Sequence, residues 1–431
     1  MLRACPHEFA RNRPNQSASD RAGHGASRWG TGLHVPGWLA CLVATTACTV
    51  GENGAPARIE VRDSAGIEIV TNTLAAPDTV RVHQPVLRIG SDGLDASEAY
   101  VFQLISDLAV TDNKVFVIDN RGRRIAVFDM AGAWQYDIGR EGTGPGEHRG
   151  PITIALREDT VLVWDAIARR LNRFMSDGRF LDMLLIRDRY GRAPIAPQGA
   201  GYIDEIEWGQ HMDPAPAGAA IVRRSAVGEI TDTLVGPYPI PEIGWQWTDD
   251  SRQTGMMINP PAFSVRAAWT VNGSALFWSQ PETGEVRILN AYDGSLQRII
   301  RLGNPATETT TADREAHVDA SIQRYNIDPS RRSAILEGTT FAAMRPAFVT
   351  FLIDDRDNLW IVNQDPGRPE RQHMASTWNV IDAEGRLRRT IQFPESFELV
   401  DVHGGRAYGV TRDADGVEVV DVFDVSGETD G

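Results

Sequence analysis

Short apolar runs alternate with turn residues along most of the chain. Between residues 104 and 138 there are four such runs: Leu104–Val110, Val115–Asp119, Ile125–Asp129 and Trp134–Ile138. Runs of five to seven residues that are rich in Val, Ile, Phe and Trp and are bounded by Asp, Asn, Arg or Gly are typical of strands. The pattern therefore predicts a four-stranded antiparallel meander.

The same pattern recurs 46 residues later without a gap. Val115–Asp119 corresponds to Val161–Asp165, and Arg123-Arg124 corresponds to Arg169-Arg170. A single meander cannot bury both of its faces, so it must stack on copies of itself. The architecture that stacks units of about 40–50 residues in this way is a β-propeller.

Weaker copies of the unit bring the number of blades to six. For a degenerate third blade we predict three strands: Gly201–Trp208, Ala219–Arg224 and Gly228–Leu234. The fourth and fifth blades begin near Trp269 and Phe351. The sequence therefore predicts an all-β fold over residues 57–431, a six-bladed propeller of four-stranded antiparallel blades.

The sixth blade lacks one strand. After residue 396 only three strands are predicted: Phe397–Val402, Arg406–Thr411 and Val417–Phe423. The run Pro85–Gly90, in contrast, matches a fourth strand that has no blade before it. Joining the two closes the ring without an open edge. The earlier runs Ile59–Arg62 and Gly66–Val70 are predicted to lie outside this closing blade or to cap one face.

The composition agrees with an all-β fold and excludes several kinds of functional site. The 40 Gly and 24 Pro supply many turns. The three cysteines, Cys5, Cys41 and Cys48, all precede the repeat, so the propeller can form neither a disulfide nor a cysteine zinc site. Lys114 is the only lysine, which removes most lysine-dependent chemistry. With a formal net charge of −15, the chain is not expected to bind nucleic acid.

The N-terminal segment has the layout of a secretory signal. The apolar stretch Val35–Ala44 follows Arg21 and Arg28 and is too short to span a bilayer. The junction Thr45-Thr46-Ala47-Cys48 resembles the lipobox of bacterial lipoproteins. This resemblance implies a signal peptide over residues 1–48, a lipid anchor on Cys48 and a tether over 49–56. Cleavage without lipidation and a misassigned start codon are the alternatives.

A second resemblance concerns the blades. The segment Ile138–His148, with Pro151 and Ile154-Ala155 behind it, resembles the inter-blade signature of six-bladed, NHL-repeat-like propellers of bacterial exported proteins. The opening Arg62–Ile67 is similar to the start of many such envelope propellers. The resemblance implies the fold and a place on the periplasmic side of the cell envelope. Because no Asp follows Cys48, it further implies the outer membrane.

Two segments depart from the blade pattern. In residues 311–338, Thr311 as N-cap predicts one short amphipathic helix, and Asp328-Pro329 predicts the start of a second that Gly338 ends. We expect this pair to cap one face of the disc or to dock a partner.

The other segment, Gly236–Pro261, is predicted to be a long loop. It holds Tyr238, Trp245 and Trp247, which could form a binding shelf for a sugar or peptide. Packing against the third and fourth blades is the alternative.

Motifs of common enzymes are missing. The sequence has no HExxH and no Gly-x-Ser-x-Gly. The run Gly142–Gly146 could be taken for a phosphate cradle, but Pro145 removes a donor and no helix is predicted to follow. We interpret it as a turn between blades.

Two functions fit these patterns. We expect a monomeric, non-catalytic envelope propeller that binds a protein, peptide or glycan through one face or the central channel, without a cofactor. The alternative is a metal-dependent hydrolase or lyase of the lactonase-like propeller type. Propellers of that type hold a divalent ion such as Ca²⁺ in the channel with oxygen ligands. Four acidic residues near predicted first strands could supply these ligands: Asp107, Asp204, Glu205 and Asp401.

Overall fold

The computed structural model describes residues 58–73, 79–90, 97–187, 195–208, 218–241, 261–303, 306–324, 327–362, 377–412 and 416–426, and the backbone of 244–250 and 253–259. All of them belong to one compact unit, residues 52–431. The predicted signal peptide (1–48) and tether (49–56) lie outside the described residues. In the described part of the chain, no helix has the length and apolar character needed to cross a membrane.

Four short strands precede the first blade. They are β1 (Arg58–Ser64), β2 (Ile67–Thr73), β3 (Thr79–Arg81) and β4 (Leu87–Ile89). The first two form an antiparallel hairpin. All four belong to the sheets of blades that come later in the chain.

The first two blades contain the predicted repeat. Blade 1 comprises β5 (Ile105–Val110), β6 (Lys114–Asp119), β7 (Arg124–Asp129) and β8 (Trp134–Ile138). Blade 2 comprises β9 (Pro151–Arg157), β10 (Thr160–Asp165), β11 (Arg170–Met175) and β12 (Phe180–Leu185). The second strand of each is buried at five consecutive positions because both of its faces pack on neighbouring blades. This explains why these strands are continuous apolar runs without alternation.

The third blade has one more strand than predicted. It comprises β13 (Ala196–Gln198), β14 (Gly201–Trp208), β15 (Gly218–Arg224) and β16 (Ile230–Pro239). The run predicted as its first strand is therefore the second. The missed strand, with the sequence Ala-Pro-Gln, carries no apolar pattern.

A hairpin follows the third blade. Its strands are β17 (Gly244–Asp250) and β18 (Gln253–Asn259), paired from Gly244 opposite Asn259 to Asp250 opposite Gln253. The prediction of a long loop over Gly236–Pro261 was therefore wrong for the residues of this hairpin.

Blade 4 and the segment after it include the helical insertion. Blade 4 comprises β19 (Ala268–Asn272), β20 (Ala275–Ser279), β21 (Glu285–Asn290) and β22 (Leu296–Leu302). It is followed by β23 (Thr307–Glu308), α1 (Thr311–Arg324), α2 (Arg332–Gly338) and β24 (Met344–Arg345). The two predicted helices are confirmed. The N-cap is Thr310 rather than Thr311, because the Thr310 hydroxyl accepts a 3.1 Å hydrogen bond from the Asp313 amide.

The last two blades complete the set of six. Blade 5 comprises β25 (Thr350–Ile353), β26 (Leu359–Val362), β27 (Thr377–Ile381) and β28 (Leu387–Gln392). Blade 6 comprises β29 (Phe397–His403), β30 (Arg406–Arg412) and β31 (Glu418–Asp424).

The N-terminal strands close and extend the ring. β4 pairs antiparallel with β31, with Ile89 opposite Val420, so the predicted closure of the last blade is confirmed. β2 adds to β22 as a parallel strand, and β3 adds to β28 in the same way. The hairpin of β1 and β2 thus lies outside the closing blade, as predicted, and extends blade 4.

The core follows the ring. The described residues contain six apolar clusters, and each is formed between two neighbouring blades. The cluster between the last and first blades includes Val420 and Val422 of β31 and Val115 and Phe128 of blade 1. This contact joins the two ends of the ring through side-chain packing as well as through strand pairing.

Candidate functional site

One face of the propeller carries all connections between blades. In an antiparallel meander the first strand begins, the second ends, the third begins and the fourth ends on the same side. We call this side the connection face. The hairpin of β17 and β18 and the helices α1 and α2 all belong to connections between blades, so they are attached at this face.

An aspartate at the end of each repeated second strand fixes the loop that enters the blade. Asp119 Oδ1 accepts hydrogen bonds from the Gln103 and Leu104 amides, both at 3.2 Å. Asp165, 46 residues later, accepts from the amides at positions 149 and 150, at 2.7 and 3.1 Å. Both aspartates are buried. The repeated Asp is therefore a structural residue that orders the connection face.

The repeated arginine pair has a matching role. Arg124 Nη2 donates to the carbonyls of Glu98 and Val101 at 3.0 and 3.2 Å. Its counterpart Arg170 donates through Nη1 to the Thr143 carbonyl at 3.0 Å and through Nη2 to the Glu147 carbonyl of the same loop. The preceding arginines of both pairs have positive φ, 53° and 52°, because they lie in the turn. The second arginine of each pair thus holds the loop that enters its blade.

Asp107 and Asp401 connect neighbouring blades. Asp107 Oδ2 accepts a 2.9 Å hydrogen bond from the amide of Ile154, on the first strand of the next blade. Asp401 Oδ2 accepts a 3.0 Å bond from the amide of Val110 in the same way. Burial raises the pKa of Asp401 to about 6, although the bond from Val110 opposes this shift. Both carboxylates lie on first strands, as predicted, and each binds the backbone of the adjacent blade.

Asp204 and Glu205 lie on β14, which is the second strand of blade 3 and not the first. Asp204 forms a 3.0 Å ion pair with Arg224 on the adjacent strand, and both side chains are almost fully buried. Glu205 belongs to a separate cluster, described next. Among the described residues, no group of three or more His, Cys, Asp and Glu side chains is placed to hold a metal ion.

Glu205 is the centre of a buried polar cluster between blade 3 and blade 4. Its Oε2 accepts hydrogen bonds from Tyr238 Oη at 2.8 Å and from Trp269 Nε1 at 3.0 Å. Its Oε1 accepts a 3.1 Å bond from Arg266 Nη2. Burial raises the pKa of Glu205, and Arg266 counteracts this shift. Burial, and next the neighbouring Glu205 carboxylate, raise the pKa of Tyr238.

A second carboxylate shares the same arginine. Glu207 Oε1 lies 2.5 Å from Arg266 Nη2, and the Glu207 side chain is only 5% exposed, whereas that of Arg266 is 47% exposed. Arg266 precedes β19, so the two carboxylates attach the start of blade 4 to blade 3. We call Glu205, Glu207, Tyr238, Arg266 and Trp269 the Glu205 cluster.

The three aromatic residues of the predicted binding shelf occupy different places. Tyr238 lies on β16, is 5% exposed and packs on Trp278, with ring centroids 5.7 Å apart. Trp245 and Trp247 are on β17, and their side chains lie outside the described residues. The structure therefore brings Tyr238 together with Glu205, two residues that the sequence suggested for different ligands.

The segments on either side of blade 4 are joined on the connection face. The Ala262 amide donates to the Thr340 carbonyl at 2.8 Å, and the Ala342 amide donates to the Ala262 carbonyl at 2.9 Å. Phe263, His317 and Phe341 form a group of rings with centroids 5.4 to 5.8 Å apart. Burial lowers the pKa of His317. We call residues 261–266, 306–324 and 327–349 together the cap.

A family model that matches part of the chain agrees with the fold. Residues 93–183 match the DUF5128 family, described as a 6-bladed beta-propeller. A Bacteroides fragilis protein assigned as exported is 10% identical over 80% of this chain and 99% of its own, with a TM-score of 0.46. A DUF4221 family member from Bacteroides vulgatus is 11% identical over 78% and 95%, with a TM-score of 0.48. Regucalcin from Agrobacterium tumefaciens, a calcium-binding protein, is 9% identical over 80% and 96%, with a TM-score of 0.41. No curated protein matches the sequence.

Proposed function

We propose that this chain is an exported, non-catalytic propeller that binds an envelope ligand, a protein, peptide or glycan, through its connection face. The observation that carries the proposal is that the carboxylates on the first strands serve a structural role. Asp107 and Asp401 bind backbone amides of the adjacent blade, so that both fasten the ring together. A calcium site needs six to eight oxygen ligands around one point, and among the described residues no group of three or more Asp, Glu, His and Cys side chains is placed to provide them.

The cap supports the connection face as the binding surface. The blades account for the stability of the ring through their six apolar clusters, and the cap adds structure beyond them at the connection face. It presents exposed side chains outward, among them Glu315 on α1 and Met344 on β24, the latter 43% exposed. Added structure in the connections of a rigid scaffold is where binding residues are commonly found.

Export and lipid attachment are part of the same proposal. The apolar stretch before Thr45-Thr46-Ala47-Cys48 supports secretion, and the cysteine at the end of this junction supports lipidation. A lipid on Cys48 would place the propeller on the periplasmic face of the outer membrane. We expect the full chain to incorporate a labelled fatty acid and the Cys48→Ser variant to lose this labelling. Equal labelling of both proteins would contradict the proposed lipid anchor on Cys48.

Site-specific photo-crosslinking in cells tests the binding surface. A photoreactive residue is placed at Glu315 or Met344 on the cap and, as a matched control, at Val227. Val227 is 71% exposed and lies between the third and fourth strands of blade 3, hence on the opposite face. We expect one discrete adduct from the cap positions and none from Val227. Equal adducts from both faces, or none from the cap, would contradict the proposal.

A further inference from the structure

A cleft opens on the outer rim of blade 1, between the loop that enters the blade at the connection face and Trp134 at the start of β8. Its volume is close to 480 Å³, within the range of small-molecule sites. The side chains that matter for its chemistry are Glu98, Gln103, Arg124, Trp134 and Asp137. We call it the Trp134 cleft.

The internal repeat shows that Trp134 is not needed for packing. Trp134 pairs with Phe128 across the blade, as Phe180 pairs with Phe174 in blade 2. Phe180 packs inward on Phe174, with ring centroids 5.6 Å apart. Trp134, at the equivalent position, is instead 42% exposed.

The cause lies 34 residues before Trp134, in the loop that enters blade 1. Phe180 lies over Gly146, where an added Cβ would come within 3.1 Å of its ring. The position 46 residues before Gly146 is Tyr100, whose ring packs on Phe128 at 5.6 Å. Because Tyr100 fills the space that Phe180 uses in blade 2, the indole of Trp134 is directed outward.

The exposed indole is held in one orientation. Trp134 Nε1 donates a 2.9 Å hydrogen bond to Asp137 Oδ1, and Arg124 Nη1 donates a 3.1 Å bond to Asp137 Oδ2. Tyr100 Oη also accepts a 3.0 Å bond from the Trp134 amide. An aromatic side chain fixed in this way loses little conformational entropy on binding. The cleft is therefore preorganised around a flat apolar surface.

We propose that the Trp134 cleft binds a saccharide. The apolar C–H face of a pyranose ring would stack on the indole, and its hydroxyls would donate to the carboxylates of Asp137 and Glu98 and exchange hydrogen bonds with Gln103. A sugar offers many hydroxyl donors beside one apolar face, and this matches acceptors arranged next to a single exposed ring. The carboxylates disfavour anionic sugars, so the expected class is neutral or amino sugars. This inference rests on the proposal that the chain is a binding protein, and it names the ligand class for one part of the connection face.

The cleft favours a saccharide over a peptide. Peptides that are held by side-chain anchors bind in apolar or aromatic-lined grooves. The Trp134 cleft instead offers one ring and several polar groups. Val101, 42% exposed, is its one large exposed aliphatic side chain.

Oligosaccharide binding by the purified full chain tests the proposal. An array of neutral, amino and acidic oligosaccharides is screened first, and the best ligand is then titrated by calorimetry against wild type, Trp134→Ala, Asp137→Asn and Trp208→Ala. Trp208 is the matched control, because it is 38% exposed, lies on the same face and is in another blade. We expect a neutral or amino oligosaccharide to bind, with affinity reduced about tenfold or more in the first two variants and within about twofold of wild type in the third.

Other outcomes overturn the proposal in distinguishable ways. Absence of any bound oligosaccharide, or selection of acidic ones only, would overturn the saccharide assignment, and the cap crosslinking would remain an independent test of the proposed function. Saccharide binding that Trp134→Ala leaves unchanged would place the sugar elsewhere on the protein. Peptide binding that Trp134→Ala abolishes, with no saccharide binding, would assign the cleft to a peptide. Melting curves of each variant show whether it is folded, and Trp134→Phe, which keeps a ring, should retain part of the affinity.

Discussion

The hydroxyl of Tyr238 donates a 2.8 Å hydrogen bond to Oε2 of Glu205, a carboxylate on the second strand of the same blade. The two residues are 33 positions apart, and both are almost fully buried. Their contact fixes the end of β16 to β14 beside the connection that leads to blade 4. It therefore belongs to the structure that holds the cap in place.

Tyr238→Phe removes this bond and leaves Glu205 with two donors. Because the buried Glu205 carboxylate then accepts one hydrogen bond fewer, we expect the free energy of unfolding to fall by about 1–3 kcal/mol. Urea unfolding measures this change. Tyr292→Phe, at a position that is 53% exposed, serves as the control and should change it by less than about 0.5 kcal/mol. A similar effect of both substitutions would contradict the role of the Tyr238 hydroxyl.

Asp401 should make stability depend on pH. Its pKa is about 6 in the folded protein and 3.8 ordinarily, so between these values the folded state binds more protons than the unfolded state. The free energy of unfolding should therefore decrease as the pH rises from about 4 to 6, by up to about 3 kcal/mol from this group. Burial is the main cause, the nearby His403 opposes the shift and Asp355 reinforces it.

Asp401→Asn isolates this contribution. The amide oxygen can still accept the bond from Val110, but it does not titrate. We expect the difference in unfolding free energy between wild type and variant to shift in favour of the variant as the pH rises from 4 to 7. A difference that stays constant over this range would show that the carboxyl has an ordinary pKa.

Arg170→Ala should destabilise the loop that enters blade 2. The guanidinium is 4% exposed and donates to loop carbonyls that would be left without partners. We expect a loss of about 2–4 kcal/mol in unfolding free energy, measured by chemical denaturation. Arg179→Ala is the control, because Arg179 is exposed and its carboxylate partner is 4.0 Å away, so the loss should be below about 1 kcal/mol. Comparable losses would refute the structural role of the repeated arginine.

Ile89→Ala tests the closure of the ring. Ile89 is fully buried, lies opposite Val420 and belongs to the apolar cluster between blades 6 and 1. Truncating it should lower the free energy of unfolding by about 2–5 kcal/mol. Val86→Ala, at a position that is 56% exposed, should have an effect below about 0.5 kcal/mol. If the two variants were equally stable, the strand would not contribute to the last blade.

The fold could be predicted because its main signal is local and repeated. Val115–Ile118 and Val161–Trp164 are apolar at every position, and the shortage of one strand in blade 6 was visible from the sequence. The strand Ala196–Gln198 gave no such signal, because its position comes from pairing with β14. In β17, the alternation of Trp245 and Trp247 with polar residues was a strand signal that the flanking prolines obscured.

The roles of polar residues were harder to predict. Asp107 and Asp401 do lie on first strands, but the hydrogen bond that each accepts from the next blade is apparent only in the folded structure. The repeated Arg124 and Arg170 were visible as a pair, whereas their acceptors are backbone carbonyls that carry no sequence signal. Trp134 is exposed because Tyr100 occupies the place that Gly146 has in blade 2. This equivalence can be recognised only once the register of the two blades is known.

The central claim is that the first-strand carboxylates of Asp107 and Asp401 fasten the blades together and do not hold a catalytic metal. The most direct test is the melting temperature of the chelator-treated protein, measured with and without about 5 mM Ca²⁺. Calcium at about 100 times its dissociation constant would stabilise a binding protein by about 2.7 kcal/mol. We predict a shift of less than about 1 °C, which corresponds to less than about 0.8 kcal/mol for a domain of this size. A rise of several degrees that is lost in Asp107→Asn or Asp401→Asn would contradict the account and assign the channel to a metal.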